Sequence, residues 1–142
     1  MKKIFFSVLM AVVMLATVSC KKEQFMYTWQ YTVTPAQWIT NAYLDYYYAP
    51  FENVDITQDV VDNGCVMVYI IDSENRQAPL PCEIFRSGQN DAGETVLYSD
   101  NFTYDIQRGI ITFKFQASDF DNDASIGEYG NITFKVCVLA SK

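Results

Sequence analysis

The chain has 142 residues, a formal net charge of −7 and no histidine. An acidic chain repels phosphate backbones, so we expect no nucleic-acid partner. The absence of histidine removes the commonest general base, the Ser-His-Asp arrangement and most transition-metal sites. Hydrophobic residues make up 50% of the chain and aromatic residues 15%, which predicts a packed globular domain rather than a disordered stalk.

The N-terminal segment is typical of a bacterial export signal that ends in a lipidated cysteine. Lys2 and Lys3 form a positive n-region, and an apolar run of 15 residues extends from Ile4 to Val18. A helix needs about 20 residues to cross a bilayer, so signal cleavage is favoured over a permanent span. The small residues directly before Cys20 fit a lipobox, and ordinary cleavage that leaves Cys20 unmodified is the alternative.

These features divide the chain into a signal peptide at 1–19, a lipid-anchored tether at 20–24 and one domain at 25–142. Removing residues 1–19 from 142 leaves 123 residues, with 8 basic and 17 acidic residues and a net charge of −9. This charge disfavours binding to an anionic membrane surface, so acyl chains on Cys20 would provide the contact with the lipid bilayer. We expect an outer-membrane lipoprotein of a bacterial cell envelope, periplasmic or surface-exposed.

The first elements of the domain are predicted strands. Residues 25–33 alternate between aromatic or aliphatic and polar side chains, which predicts a strand with one buried face that ends before Pro35. The aromatic segment 38–51 is expected to form one or two short strands, with Tyr43 to Ala49 the better defined.

A helical turn near 57–63 is predicted next. Thr57 can cap its start, and Asn63-Gly64 is expected to provide a left-handed stop. The apolar run from Cys65 to Ile71 predicts a strand covered on both sides. Ser73 to Pro79 is expected to be a polar loop.

The remaining chain is predicted to be mostly strands separated by turns. The predicted strands are Leu80 to Arg86, Thr95 to Ser99, Phe102 to Ile106, Ile111 to Phe115 and Ile132 to Val138. Seven to nine short strands with one helical turn favour an antiparallel β-sandwich, with a small closed β-barrel as the alternative.

Assigning Cys20 to lipid leaves three cysteines, so at most one disulfide can form among them. Cys65 and Cys82 lie on consecutive predicted strands, and a tight hairpin would hold them too far apart for a bridge. We interpret Cys65, Cys82 and Cys137 as small buried hydrophobes, although the alternation of the last strand places Cys137 on the same face as Lys135.

Three segments give the chain a family resemblance. They are DITQDVVDNGCVMVYIID at 55–72, PLPCEIF at 79–85 and ITFKVCVLASK at 132–142. The chain resembles short lipoproteins of Bacteroidetes-type bacteria with the pattern ITxxVxxNGxVxVY, then PLP, then FKVVVI-like residues at the end. The resemblance implies a secreted β-sandwich lipoprotein of unknown function, brings no catalytic residues and suits thiols that fill the core.

A cluster of aromatic residues is the candidate ligand-binding site. Its members are Trp38, Tyr43, Tyr46, Tyr47 and Tyr48. Exposed aromatic rings stack against the C–H faces of sugars, so the cluster would suit a glycan. The alternative is that alternate rings pack in the core and the others line a sheet face.

An acidic segment offers a weak calcium candidate. Asp119, Asp121 and Asp123 match the start of an EF-hand loop, but Ala124 replaces the turn glycine and Gly130 replaces the bidentate glutamate. We therefore interpret the segment as a solvated acidic turn, and we expect no metal and no cofactor.

These observations predict a non-catalytic structural or protein-interaction component of the envelope, with envelope proteins as partners. The alternative is a surface module that binds glycans or small ligands through exposed aromatics. An acid/base hydrolase would require two suitably spaced carboxylates in a pocket, which the sequence does not indicate.

Overall fold

A computed structural model describes residues 24–41, 43, 45–89, 92–119 and 122–141, without the side chains of 122–124 and 141. The strands are β1 (Gln24–Val33), β2 (Ile39–Asn41), β3 (Tyr46–Glu52), β4 (Cys65–Ile71), β5 (Gln77–Pro79), β6 (Cys82–Gln89), β7 (Thr95–Gln107), β8 (Ile110–Ala117) and β9 (Ile132–Ser141). The helices are α1 (Gln58–Asn63) and α2 (Asn122–Tyr129), with a 3-10 turn at Pro35–Gln37. The signal peptide and Cys20 lie outside the described residues.

The described strands form two antiparallel sheets. Sheet 1 has the order β1-β9-β4-β5, and sheet 2 has the order β2-β3-β8-β7-β6. This arrangement confirms the predicted β-sandwich, and the two separate sheets contradict the closed-barrel alternative. Among the described residues, no helix has the length and apolarity that a membrane span requires.

Aromatic side chains from both sheets fill the core. Phe113 of β8 and Phe134 of β9 stack with ring centroids 4.2 Å apart and planes 9° apart. Phe102 and Phe115 pack beside them with centroids 5.0 Å apart. Such pairs add about 0.5–1.5 kcal/mol each beyond the burial of their surface. The alternation predicted for β8 and β9 is confirmed, because their apolar positions face this core.

The helical turn is confirmed as α1, but its end differs from the prediction. Thr57 caps the helix, with its hydroxyl oxygen accepting a bond from the Val60 amide at 3.3 Å. Gly64 has a φ of −92°, so the expected left-handed stop is wrong. Glycine is required for space instead, because a Cβ at this position would lie 2.7 Å from the Leu139 carbonyl oxygen and 2.8 Å from Val60 Cα.

The segment Cys65–Ile71 forms β4, but only one of its faces is buried, so the prediction of a strand covered on both sides is wrong. Val66 and Val68 face the core, whereas Cys65 and Met67 are exposed on the outer face of sheet 1. Cysteine and methionine count as apolar residues in a sequence pattern, and this hid the alternation of the strand.

Three further elements differ from the prediction in their type or number. The predicted polar loop ends in the short strand β5, which pairs with β4. The two strands expected at 95–106 form the single strand β7, and residues 122–129 form a second helix where a loop is expected. In each case long-range pairing or packing overrides weak local propensity.

Candidate functional site

The structure separates the five aromatic residues of the predicted site. Trp38 is buried in the core with its ring 6.4 Å from that of Phe115, so it does not contribute to an exposed site. Tyr47 faces inward and packs against the core. Tyr43 is 98% exposed on a turn, and Tyr46 and Tyr48 lie half-buried on the outer face of sheet 2.

Tyr46 and Tyr48 form a small polar and aromatic surface. Their rings meet edge to face, with centroids 6.2 Å apart and planes 64° apart. The Lys114 ammonium lies 5.3 Å from the centroid of the Tyr46 ring, and Asn41 donates a hydrogen bond to the Tyr46 hydroxyl at 3.3 Å. Because the rings are not coplanar, they do not form a flat platform for stacking a sugar.

A larger cavity lies at one end of the sandwich. Its volume is about 670 Å³, within the range of about 300–1,000 Å³ that small-molecule sites occupy. The lining residues are Ile70, Ile71, Asp72, Ser73, Arg76, Gln77, Ala78, Ile84, Glu128, Tyr129, Asn131, Ile132 and Thr133. Apolar side chains from both sheets and charged groups from the β4–β5 hairpin and α2 therefore meet in one cavity.

A charged cluster, made of Arg86, Asp100, Glu128 and Tyr129, adjoins this cavity. Asp100 is fully buried and accepts a hydrogen bond from the Tyr129 hydroxyl at 2.8 Å through Oδ2. The Arg86 guanidinium contacts the same oxygen at 3.5 Å and forms an ion pair with Glu128. The other oxygen of Asp100, Oδ1, has no hydrogen-bond partner within the described residues.

The hydroxyl group of Tyr129 in the charged cluster has a raised pKa. Burial raises the pKa of Tyr129 to about 12, with Asp100 adding to the rise and Arg86 opposing it. Tyr129 therefore keeps its proton, and its hydrogen bond to Asp100, to a higher pH than an exposed tyrosine would. The Arg86 guanidinium also lies 5.1 Å from the centroid of the Tyr129 ring, which ties the C-terminal end of α2 to sheet 2.

The carboxylates that line the cavity form ion pairs with neighbouring arginine side chains. Hydrogen bonds from the Arg76 side chain and backbone lower the pKa of Asp72, whereas a general acid at neutral pH requires a raised pKa. Glu128 pairs with Arg86. Among the described residues, no group of three or more His, Cys, Asp or Glu side chains could hold a metal ion.

The calcium candidate is only partly described. Asp119 follows β8, Asp121 lies outside the described residues, and Asp123 belongs to α2 without a described side chain. The interpretation of this segment as an acidic turn is wrong from Asn122 onwards, where α2 begins.

All three described cysteines have free thiols, but they differ in environment. Cys65 is exposed, Cys82 is half-buried on the inner face of sheet 2, and Cys137 is buried. The interpretation of three buried core thiols is therefore wrong for Cys65. Cys82 lies in a different sheet from Cys65, so the hairpin considered for these residues does not exist.

Strand β1 forms one edge of sheet 1. It pairs with β9 over ten consecutive residues, and β9 is its sole partner strand among the described residues. The strand contains no charged residue, proline or glycine. Tyr27 and Trp29 remain exposed along it at 40% and 43%. By contrast, β6, one of the two edge strands of sheet 2, contains Glu83 and Arg86.

Comparisons with protein-family models, curated proteins and solved structures gave no match. The resemblance to Bacteroidetes-type lipoproteins therefore stays a prediction. Sequence reasoning missed the cavity and the charged cluster because each joins distant elements. The charged cluster requires β6, β7 and α2 to meet, and the cavity requires β6, α2 and β9 to meet the β4–β5 hairpin. Asp100 and Glu128 are visible in the sequence as acidic residues, but no pattern in the sequence indicates that they lie close together.

Proposed function

We propose that this chain is a lipid-anchored, non-catalytic component of the bacterial cell envelope that associates with another protein through the open edge of β1. The partner would add an extended strand to sheet 1, a mode in which backbone hydrogen bonds supply much of the affinity. The observation that supports this proposal best is the uncharged edge of ten residues.

Exposed edge strands are normally protected against pairing. Natural proteins shorten them, interrupt them with bulges or proline, or place lysine and other charges on them. The uninterrupted register of β1 shows none of these features within its ten residues. The end of β3 and the segment after it contact side chains of β1, where Trp29 donates to the Asp55 carboxylate at 2.7 Å and Tyr31 to the Glu52 carbonyl at 3.2 Å. The exposed aromatic residues of β1, Tyr27 and Trp29, are of the type enriched at protein interfaces.

The proposed anchor would keep this edge close to the membrane. Gln24 begins β1, and it lies four residues after Cys20. A fully extended chain spans at most about 3.6 Å per residue, so the strand would begin within about 15 Å of the lipidated residue. A partner in the same envelope membrane would therefore meet β1 at a restricted distance.

Site-specific photocrosslinking in intact cells tests the proposal. A benzoylphenylalanine at Tyr27 on β1 is compared with one at Phe85, an 80% exposed aromatic residue on the edge strand β6. We expect a discrete crosslinked species from position 27 only. Gln30→Glu should weaken it, because the substitution adds a charge to the edge while Lys135 lies opposite and preserves the fold.

Two results would contradict strand addition at β1. One is crosslinking of equal intensity from positions 27 and 85. The other is a crosslink from position 27 that Gln30→Glu leaves unchanged. Metabolic labelling of Cys20 with a fatty-acid analogue, compared with Cys20→Ser, tests the anchor separately from the interaction.

A second candidate function is the binding of a glycan or small ligand in the end cavity. It is favoured by the cavity of about 670 Å³ and by the polar groups of Arg76, Tyr129 and Asn131 in its lining. Native mass spectrometry of the purified protein would detect a bound ligand directly. Ile84→Trp should fill the cavity and abolish the added mass, whereas Phe85→Trp on the opposite face of β6 should preserve it.

A further inference from the structure

The pairing of β1, β9 and β4 brings four sulfur-containing side chains together on the outer face of sheet 1. Cys137 of β9 lies opposite Met67 of β4. One rung away, Leu139 lies between Met26 of β1 and Cys65 of β4. Met26, Cys65, Met67 and Cys137 are named here the sulfur cluster. They are four of the five sulfur-containing residues in the described part of the chain.

The sulfur cluster is open to solvent at its edges and closed at its centre. Met26 is 65% exposed, Met67 is 37% exposed and Cys65 is exposed, whereas Cys137 is only 6% exposed. Its neighbours Val136 and Val138 face the core, so alternation directs the Cys137 side chain to the outer face. The central thiol is therefore surrounded by side chains of its own sheet face and not by the core.

The spacing of these residues disfavours a disulfide and suits a shared metal ion. Directly opposite residues have Cβ atoms about 5 Å apart, and diagonal neighbours such as Cys65 and Cys137 are about 7 Å apart. A disulfide requires Cβ atoms about 3.8 Å apart. Two metal–sulfur bonds of about 2.3 Å each, the length found for zinc thiolates, extend the reach between two cysteines by several ångströms.

We propose that Cys65, Cys137 and Met67 bind a single Cu(I) ion on the outer face of sheet 1, with Met26 available as a further thioether ligand. Thiolate and thioether sulfurs are soft ligands that suit Cu(I), zinc and iron–sulfur clusters. Structural zinc sites take four ligands from cysteine, histidine or carboxylate side chains, whereas this cluster offers two thiolates and otherwise thioethers, a set that favours Cu(I) over zinc. Binding breaks two S–H bonds, forms two thiolate–Cu bonds and one thioether–Cu bond, and releases two protons to the solvent, with no change in oxidation state.

Neighbouring groups support this assignment. The Tyr69 hydroxyl contacts the Met67 sulfur at 4.0 Å on the same face, which restricts the position of the thioether. Lys135, on the next rung of the same face, lies with its ammonium 5.6 Å from the Tyr69 ring centroid and donates to Gln77 at 3.2 Å. The flexible side chains of Met26 and Met67 can close over the ion without a change in the backbone.

Anaerobic Cu(I) titration of the full chain in detergent, in competition with a chromophoric Cu(I) chelator, tests the site. We expect one tightly bound Cu(I) per chain. Cys65→Ser and Cys137→Ser should each weaken binding by more than about 100-fold, since even outer-shell changes at metal sites cost 10–100-fold. Met67→Leu should weaken it by about 10-fold. Cys82→Ser is the matched control and should leave the affinity unchanged.

X-ray absorption at the copper edge should show three sulfur neighbours at about 2.3 Å, or four if Met26 also binds. Cu(I) uptake that Cys65→Ser and Met67→Leu leave unchanged would overturn the proposal, as would an equal loss in Cys82→Ser. Both decisive side chains are exposed, so the conclusion does not depend on the folding of Cys137→Ser. Cys20 is present in every variant, so any Cu(I) that it binds contributes equally to all of the affinities compared.

Discussion

The charged cluster and the sulfur cluster differ in how many of their polar or ligating groups already bind a neighbouring side chain. In the charged cluster, Arg86 contacts both Asp100 and Glu128, and Tyr129 donates to Asp100. In the sulfur cluster, Cys65 is a free, exposed thiol. Apart from Asp100 Oδ1, the groups of the charged cluster bind one another and hold the fold together, whereas a soft ligand left open at a surface is available to a partner. We therefore assign stability to the first cluster and binding to the second.

The largest effect that separates the two clusters is expected from Asp100→Ala. The substitution leaves the half-buried Tyr129 hydroxyl without its acceptor and removes one partner of Arg86. Unsatisfied buried groups of this kind cost about 3 kcal/mol of unfolding free energy. Urea unfolding would measure the loss.

Asp105→Ala is the control for Asp100→Ala, because Asp105 is an exposed carboxylate paired with Lys114. Exposed ion pairs contribute at most about 1 kcal/mol. Equal destabilisation by the two substitutions would remove the structural role that we assign to the charged cluster.

Gly64→Ala should have the next largest effect, and it acts on the side of the molecule that contains the sulfur cluster. The new methyl group would meet the Leu139 carbonyl oxygen and the Val60 backbone, and neither can move independently of its element. Overpacking of this kind costs about 1–3 kcal/mol. Thermal or urea unfolding would report it.

Gly127→Ala is the matched control for Gly64→Ala, because nothing lies within 4 Å of a Cβ at Gly127 in α2. Alanine is favoured over glycine in helices by about 1 kcal/mol, so this variant should be neutral or slightly stabilised. Similar losses in the two variants would show that the space at Gly64 is not the reason for glycine there.

The sequence predicted the elements whose signals are local. Alternation identified β8 and β9, and Thr57 correctly marked the start of α1. The clusters were not predictable, because each joins residues that are distant in the chain. Cys65 and Cys137 become neighbours only when β4 pairs with β9, and the order of strands in a sheet is not encoded by periodicity.

Alkaline pH should weaken the charged cluster. The pKa of Tyr129 is raised from 10.0 to about 12, so the folded state holds the phenol proton more tightly than the unfolded state does. The resulting stability is complete below pH 10 and is lost as the pH rises from 10 to about 12. We expect a loss of about 2 kcal/mol over this interval.

Urea midpoints at pH 9.5 and 11.5 for the wild type and Tyr129→Phe would measure how much the protonated Tyr129 hydroxyl contributes to stability. The wild type should lose more stability than the variant over this interval, since the variant has no phenol at this position. Parallel losses in both proteins would assign the alkaline sensitivity to other groups.

The smallest change in unfolding free energy is expected from a substitution in the sulfur cluster. It tests most directly whether that cluster binds a ligand and does not stabilise the fold. Cys65 is exposed, so Cys65→Ser should change the unfolding free energy by less than about 0.5 kcal/mol in the absence of metal. Cys82 packs against the core, and burial raises the pKa of its thiol. Cys82→Ser should therefore cost about 1–2 kcal/mol, because a hydroxyl replaces a thiol in an apolar environment.

Adding Cu(I) should reverse the ranking of these two variants. A ligand that binds the folded state stabilises it in proportion to the logarithm of its concentration over its dissociation constant. Cu(I) should therefore raise the melting temperature of the wild type and of Cys82→Ser, but not that of Cys65→Ser. A thiol that contributes almost nothing to the metal-free fold would then determine the stability of the metal-bound protein, which is the behaviour expected of a binding residue and not of a core residue.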